Sequence, residues 1–392
     1  MPSTLASHWS LDPTITFLNH GSFGATPRAV LDAQSRLRAQ MEAEPVRFFV
    51  RELPALFDAA RAEVAAFVGA EPRDLGFVRN ATSGVASVLA SLRLAPGDEL
   101  LTTSHVYGAC RHALAHAAQR AGARVVVAEV PFPIRDEDEV LDAILAAAGP
   151  RTRLALVDHV TSASGLVLPI ERIVRALDAR GIDTLVDGAH APGMLPLALD
   201  ALGAAYYTGN FHKWVCAPKG AAMLHVRRDR QEGFHPAVIS HGYASKRARG
   251  RFLEEMDWVG TDDPTSWLSV PVALRVMAEL GGGWPALMAA NHRLALDARR
   301  LLSERLGIDP PAPEAMIGTL VTLPLRSSAP ALPSAFDVDP LQTALLERHR
   351  IEVPIFPFPA PPQRCVRVAA QCYLALEDFA RLADALCAEG AR

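Results

Sequence analysis

The sequence predicts an α/β chain: a mainly parallel, doubly wound sheet in a large domain, then a smaller α+β C-terminal domain. Three observations carry this. From about residue 55 to residue 226, short apolar runs alternate with helical patterns of about 10 to 15 residues, as strands joined by crossover helices do. After about residue 265 the pattern changes to long helices around Gly281-Gly282-Gly283 and a proline-rich stretch at 354–362. Several chemistry-bearing side chains fall just beyond the strands, where open α/β sheets bind ligands.

In order along the chain, 75–78 (Leu75-Gly76-Phe77-Val78) reads as a strand and 82–92 as the helix after it. A strand at 99–102, a helix at 107–121 and a strand at 124–129 follow. The apolar run 154–157 is a fourth strand, and Pro169 opens a helix to about 180, since proline suits a first helical turn. Strands at 184–186, 204–207 and 221–226 complete the sheet. Beyond it, helices at 266–280 and 284–306 precede apolar runs at 318–325 and 365–369. The expected organisation is an N-terminal segment at 1–20, a large domain at 21–265 and a small domain at 266–392.

The totals exclude several classes. Basic residues number 39 and acidic ones 43, and no polybasic block occurs, so neither nucleic acid nor an anionic membrane is an expected partner. No apolar run approaches the ~18 residues of a membrane span, and the first residues lack a secretory pattern. The five cysteines (110, 216, 365, 372, 387) form no C-x-x-C, which suits free thiols in a reducing cytoplasm.

Only three lysines occur. Lys219 and Lys246 read as ordinary, in a Pro-Lys-Gly turn and a charged stretch. Lys213 sits between His212 and Trp214, just after an apolar strand, a poor place for a solvated cation. Upstream, Asp187-Gly188-Ala189-His190 ends another apolar run. A carboxylate at one strand end and a lysine beyond a later one is a layout for holding pyridoxal 5'-phosphate (PLP). The lysine bonds the aldehyde and the carboxylate pairs with the protonated ring nitrogen, so the ring can withdraw electrons from a substrate α-carbon. Alone, Asp187 would read as a solvated strand end or a helix cap, and Lys213 as a surface cation. His190 is either near the ring and substrate or packed in its turn.

Asn80-Ala81-Thr82-Ser83-Gly84 joins a strand to a helix, and such a start offers free N–H groups and a positive dipole to a phosphate. The same residues also suit an ordinary N-cap. Tyr107 and His105 compete to stack on the ring. Arg367 lies inside an apolar strand, where it needs a partner: a substrate carboxylate or an internal acid. Other chemistries are weak. His112 and His116 share a helix face without a third zinc ligand, and no G-x-G-x-x-G or G-x-x-x-x-G-K occurs. Thr161-Ser162-Ala163-Ser164-Gly165 is no nucleophile elbow; it lies beside the ring or is simply a loop.

Together these segments resemble fold-type I PLP enzymes of aminotransferase class V, most closely the isopenicillin N epimerase-like branch. The likeness runs from Leu18-Asn19-His20-Gly21-Ser22-Phe23-Gly24 through Asn80-Ala81-Thr82-Ser83 and His159-Val160-Thr161-Ser162. It continues through Asp187-Gly188-Ala189-His190 and Gly209-Asn210-Phe211-His212-Lys213-Trp214 to Gly260-Thr261 and Arg367. The resemblance implies the aspartate aminotransferase-like fold, Lys213 as the Schiff-base lysine, Asp187 as the ring-nitrogen partner and Tyr107 as the stacking residue. It implies phosphate contacts from Thr82, Ser83, Asn210 and His212, with His190 at the cofactor. Thr261 would reach the phosphate of the neighbouring subunit in a homodimer with shared sites. Arg367 would hold the carboxylate of an amino-acid substrate, and Asn19 and His20 would line the pocket mouth. The implied reaction is epimerisation or racemisation, with C–S β-elimination or transamination as alternatives. Residues 326–362 contain no cysteine, unlike the mobile loop of cysteine desulfurases, and Tyr373-Leu374 departs from the tyrosine-asparagine of many relatives.

Overall fold

The computed structural model describes residues 3–334 and 337–391. Its strands, in chain order, are β1 (Thr16–Phe17), β2 (Leu75–Val78), β3 (Glu99–Thr103), β4 (Arg124–Ala128), β5 (Thr152–Asp158) and β6 (Asp183–Asp187). Then come β7 (Tyr206–Asn210), β8 (Ala222–Val226), β9 (Leu320–Leu325), β10 (Ile351–Glu352), β11 (Ile355–Pro357) and β12 (Arg364–Ala369). Seven strands form one sheet in the order β2-β8-β7-β6-β5-β3-β4. All are parallel except β8, which runs antiparallel between β7 and β2.

Why the central strands are apolar throughout follows from what covers them. In β5, Leu154 and Leu156 join one buried cluster while Ala155 and Val157 join another. Successive side chains point to opposite faces, so a strand buried on both sides needs no polar alternation. Helices Ala81–Ser91, Gly108–Ala121, Asp138–Ala147 and Ile170–Asp178 make the crossovers. The large sheet is therefore doubly wound, with one antiparallel strand, as expected.

Beyond the large sheet, β11-β12-β9 form an antiparallel sheet beside helices Trp284–Leu306 and Leu376–Ala388, and β1 pairs in parallel with β10. Thus residues near the two ends of the chain share one ladder.

Local differences from the sequence reading have local causes. The strand expected at 204–207 instead spans Tyr206–Asn210. Its polar end is hidden by pairing: Thr208 Oγ1 donates to the Met223 carbonyl at 2.8 Å. The helix expected at 266–280 divides into Thr265–Leu268 and Val270–Gly281, with Pro271 in the first turn of the second. Tyr107 is the extended N-cap of its helix rather than a helical residue (φ −56°, ψ 132°).

One close approach sets the site's geometry. Gly84, in the first turn of helix Ala81–Ser91, lies so near β7 that an added Cβ would meet Thr208 Oγ1 at 2.3 Å. Gly84→Ala should cost about 1–3 kcal/mol through overpacking, read as a lower urea midpoint; an unchanged midpoint contradicts this packing.

Candidate active site

A cavity of about 340 Å³ opens at the carboxyl ends of the parallel strands. Thr82, Tyr107, Asp158, Asp187, His190, Asn210, His212 and Lys213 all line it. A groove of equal volume beside Phe49, Val50 and Trp258 carries no lysine, and its Glu254 and Asp257 are already paired with arginines. The reactive groups are in the first.

The lysine is placed by the antiparallel step from β7 to β8. β7 ends at Asn210, the chain turns, and β8 returns beside it, with Phe211 N–H bonded to the Ala221 carbonyl at 2.9 Å. Lys213 rides on this turn. His20 Nε2 lies 2.9 Å from its carbonyl, and Gly24 packs where any Cβ would strike the His212 carbonyl. Lys213 Nζ has no carboxylate partner among the described residues; its neighbour is His190 Nε2 at 3.0 Å. Burial, reinforced by the Arg367 charge, lowers its pKa to about 7, although Asp187 and Asp158 pull the other way.

His190 is buried and held well below the usual imidazole range by desolvation and then by Lys213. Its Nδ1 accepts from Trp214 Nε1 at 3.4 Å. His212, also on the wall, bonds the Ala221 carbonyl through Nδ1 at 3.3 Å, and burial takes its pKa to about 4.

At the floor stand two carboxyls rather than one. Asp187 Oδ1 accepts from the Ala189 N–H at 3.0 Å and Oδ2 from Cys110 Sγ at 3.3 Å. Asp158, its direct register partner at the end of β5, has a buried Oδ2 with no hydrogen-bond partner among the described residues. Desolvation raises both, Asp158 strongly because the Asp187 charge adds to it. Sequence reasoning missed Asp158. The signal was present, an aspartate ending the apolar run 154–157, but only strand register shows that it faces Asp187.

At the other end of the cavity, Asn80 caps helix Ala81–Ser91 by accepting the Ser83 N–H at 2.8 Å, and Asn210 Oδ1 accepts the Ala81 N–H at 2.8 Å. Thr82 N–H has no acceptor among the described residues. Lys219, read from sequence as ordinary, lines the cavity here with Arg79 and Gly220. Ser83 is turned away, its hydroxyl donating to Asn80 Oδ1 at 3.0 Å.

Of the two stacking candidates, Tyr107 lines the cavity and is 46% exposed, whereas both His105 ring nitrogens are used by Ser164 Oγ (2.7 Å) and the Val130 carbonyl (3.1 Å). Arg367 is buried on β12 with no acidic partner among the described residues. Its Nη2 donates to Ser22 Oγ at 3.2 Å and its Nη1 to Ser162 Oγ at 3.2 Å, and both serines line the cavity. Burial lowers its pKa to about 10.

Two residues expected at the pocket mouth lie elsewhere. Asn19 and His20 do not line the cavity: Asn19 donates to Glu352 at 3.1 Å and His20 bonds Tyr373 at 2.9 Å, behind the wall. The next turn, Ser22 and Phe23, takes their place. Thr261 is exposed and outside its own chain's cavity. His112 and His116 join no metal-type cluster; among the described residues the one such grouping is Asp74, Asp200 and His225, away from the cavity.

Residues 17–331 match the family model described as aminotransferase class V. Isopenicillin N epimerase of Streptomyces clavuligerus is 38% identical over 96% of this chain and 95% of that one. A probable chloroplastic L-cysteine desulfhydrase of Arabidopsis thaliana is 31% identical over 96% and 83%.

This chain belongs to the aminotransferase class V family.

Among solved structures, a cystine C–S lyase in complex with its product cysteine persulfide superposes with a TM-score of 0.81 at 22% identity, covering 95% of this chain and 97% of that one, which supports the class V fold. The cofactor of this class V protein is PLP, and the cavity suits it. An uncompensated lysine, an acidic floor with an orphaned carboxyl oxygen and an open helix N-terminus occupy one space. No helix among the described residues is long and apolar enough to cross a membrane.

Asp158 gives a pH test. Its folded pKa lies above the unfolded value, so the folded state binds the extra proton between those two values and stability falls as pH rises through that window. Asp158→Asn removes this slope. Its stability relative to wild type should therefore grow as pH rises above about 4 in urea unfolding; a constant difference contradicts the buried-acid reading.

Proposed function

We propose that the protein is a PLP-dependent epimerase or racemase acting at the α-carbon of an amino acid or peptide-like amino acid. The observation that carries the chemistry is a buried lysine amine, its pKa lowered to about 7, in the same site as a buried guanidinium with no acidic partner among the described residues. When bound, PLP supplies an electron sink for charge developing at the α-carbon. Lys213 is the residue assigned to bond it, Asp187 and Asp158 to face its ring nitrogen, Tyr107 to stack on it, and Thr82, Asn210 and His212 to hold its phosphate end.

Arg367 binds the substrate carboxylate in a charge-assisted, two-pronged contact. That contact sets the α-carbon near Lys213. With a pKa near neutrality, Lys213 Nζ can take a proton and return it. Tyr107, whose pKa burial raises, keeps its proton and is the assigned donor on the opposite face. The epimerase likeness over 96% of the chain supports inversion as the outcome.

A second reading, C–S β-elimination, rests on the 31% identity to the L-cysteine desulfhydrase. The same proton abstraction would then expel sulfur. A persulfide route is disfavoured because residues 326–362 contain no cysteine. We further propose a homodimer in which exposed Thr261 completes the neighbour's phosphate site. Sedimentation as a monomer with full PLP occupancy contradicts it.

Incubation with an amino-acid panel in D2O should give α-deuterium together with inversion. Pyruvate from cysteine conjugates would select elimination instead, and accumulated pyridoxamine phosphate would select transamination. Arg367→Lys keeps a charge but loses the fork, so KM should rise by about tenfold or more with a smaller change in kcat; an unchanged KM removes Arg367 from the substrate.

A further inference from the structure

Trp214 is buried, and its Nε1–H can only donate. Its acceptor is His190 Nδ1 at 3.4 Å. An accepting Nδ1 carries no proton, so in a neutral imidazole the proton resides on Nε2. His190 is kept neutral by burial. Its Nε2–H then points at the nearest partner, Lys213 Nζ at 3.0 Å, and must find a lone pair there. An ammonium has none. Were Lys213 charged, it would donate to Nε2 and force the histidine proton onto Nδ1, where two donors would confront each other in a buried site.

We propose that Trp214 is a positioning residue which fixes the His190 tautomer and thereby holds Lys213 Nζ as a free amine with its lone pair engaged by His190. The inference deepens the assignment of Lys213 as the PLP-bonding residue and rests on it. It concerns the chain before PLP and substrate arrive, when an amine with a lone pair is what an aldehyde requires. Other charges facing Lys213 do not make the relay redundant. Arg367 on β12 disfavours the ammonium, whereas Asp187 on β6 and Asp158 on β5 favour it. His212 adjoins the lysine in the chain and is itself neutral, and His20 meets only its carbonyl. The acids at the floor thus oppose the free amine, and the Trp214–His190 contact is the hydrogen-bonded device on the other side.

The test uses the full-length apo protein with 15N-labelled histidine, His190 being assigned by its loss in His190→Gln. The Nε2–H tautomer is expected in wild type at neutral pH; an Nδ1–H tautomer or an imidazolium there overturns the proposal without any variant. In Trp214→Phe, checked for a native circular dichroism spectrum, the tautomer preference should weaken. The pH midpoint for PLP capture, followed by absorbance, should rise by about one unit, the scale of one lost hydrogen bond. An unchanged midpoint and tautomer overturn the relay. Lys213→Ala separates the two levels. If it still bonds PLP covalently, the lysine assignment fails; if it does not and Trp214→Phe behaves as wild type, only the relay fails.

Discussion

A buried amine without an ion-pair partner is held far less basic than a surface lysine, and the rest of the site is arranged around that constraint. Lys213 Nζ has no ion-pair partner among the described residues, a buried arginine on one side and a neutral histidine at 3.0 Å on the other. Desolvation disfavours the ammonium. The backbone makes this placement possible because β8 runs antiparallel to β7, so the chain doubles back at the sheet's carboxyl edge instead of leaving through a crossover helix.

The acidic floor obeys the same rule with opposite sign. Two neighbouring carboxyls in register cannot both ionise cheaply in a low-dielectric site, so burial and mutual repulsion hold a proton on the pair. A cationic ring nitrogen is the complement such a floor favours. At the far end, the helix start at Thr82 and the Lys219 amine supply positive potential, while Arg79 is already paired with Asp262. The two ends of the cavity thus carry opposite charge, as the proposed placement of PLP requires.

Much of this was legible in the chain because the signals are local. Lys213 stands out by its aromatic and imidazole neighbours, Asp187 by ending an apolar run, and Asn80 to Gly84 by lying between a strand and a helix. Asp158 was not legible, because its meaning lies in the register of β5 against β6, a contact between segments 29 positions apart in chain order (158 to 187). The same holds for His20. Its proximity to Lys213 reads equally as lining or support, and only the long-range bond to Tyr373 shows it to be support. Lys219 looked ordinary in its turn because the Gly24 carbonyl that holds its amine is distant in sequence. Strand β7 was read short, since Thr208 and Asn210 are polar and their burial depends on partners in other segments.

The central claim is that one particular amine of three carries the cofactor. Borohydride reduction of the PLP-loaded protein, followed by proteolysis and mass mapping, tests it directly because Lys219 lines the same cavity and Lys246 is the remaining alternative. The account predicts all of the pyridoxyl label on the peptide holding Lys213, and none retained by Lys213→Ala. Label on Lys219 or Lys246 in the wild-type protein would contradict it.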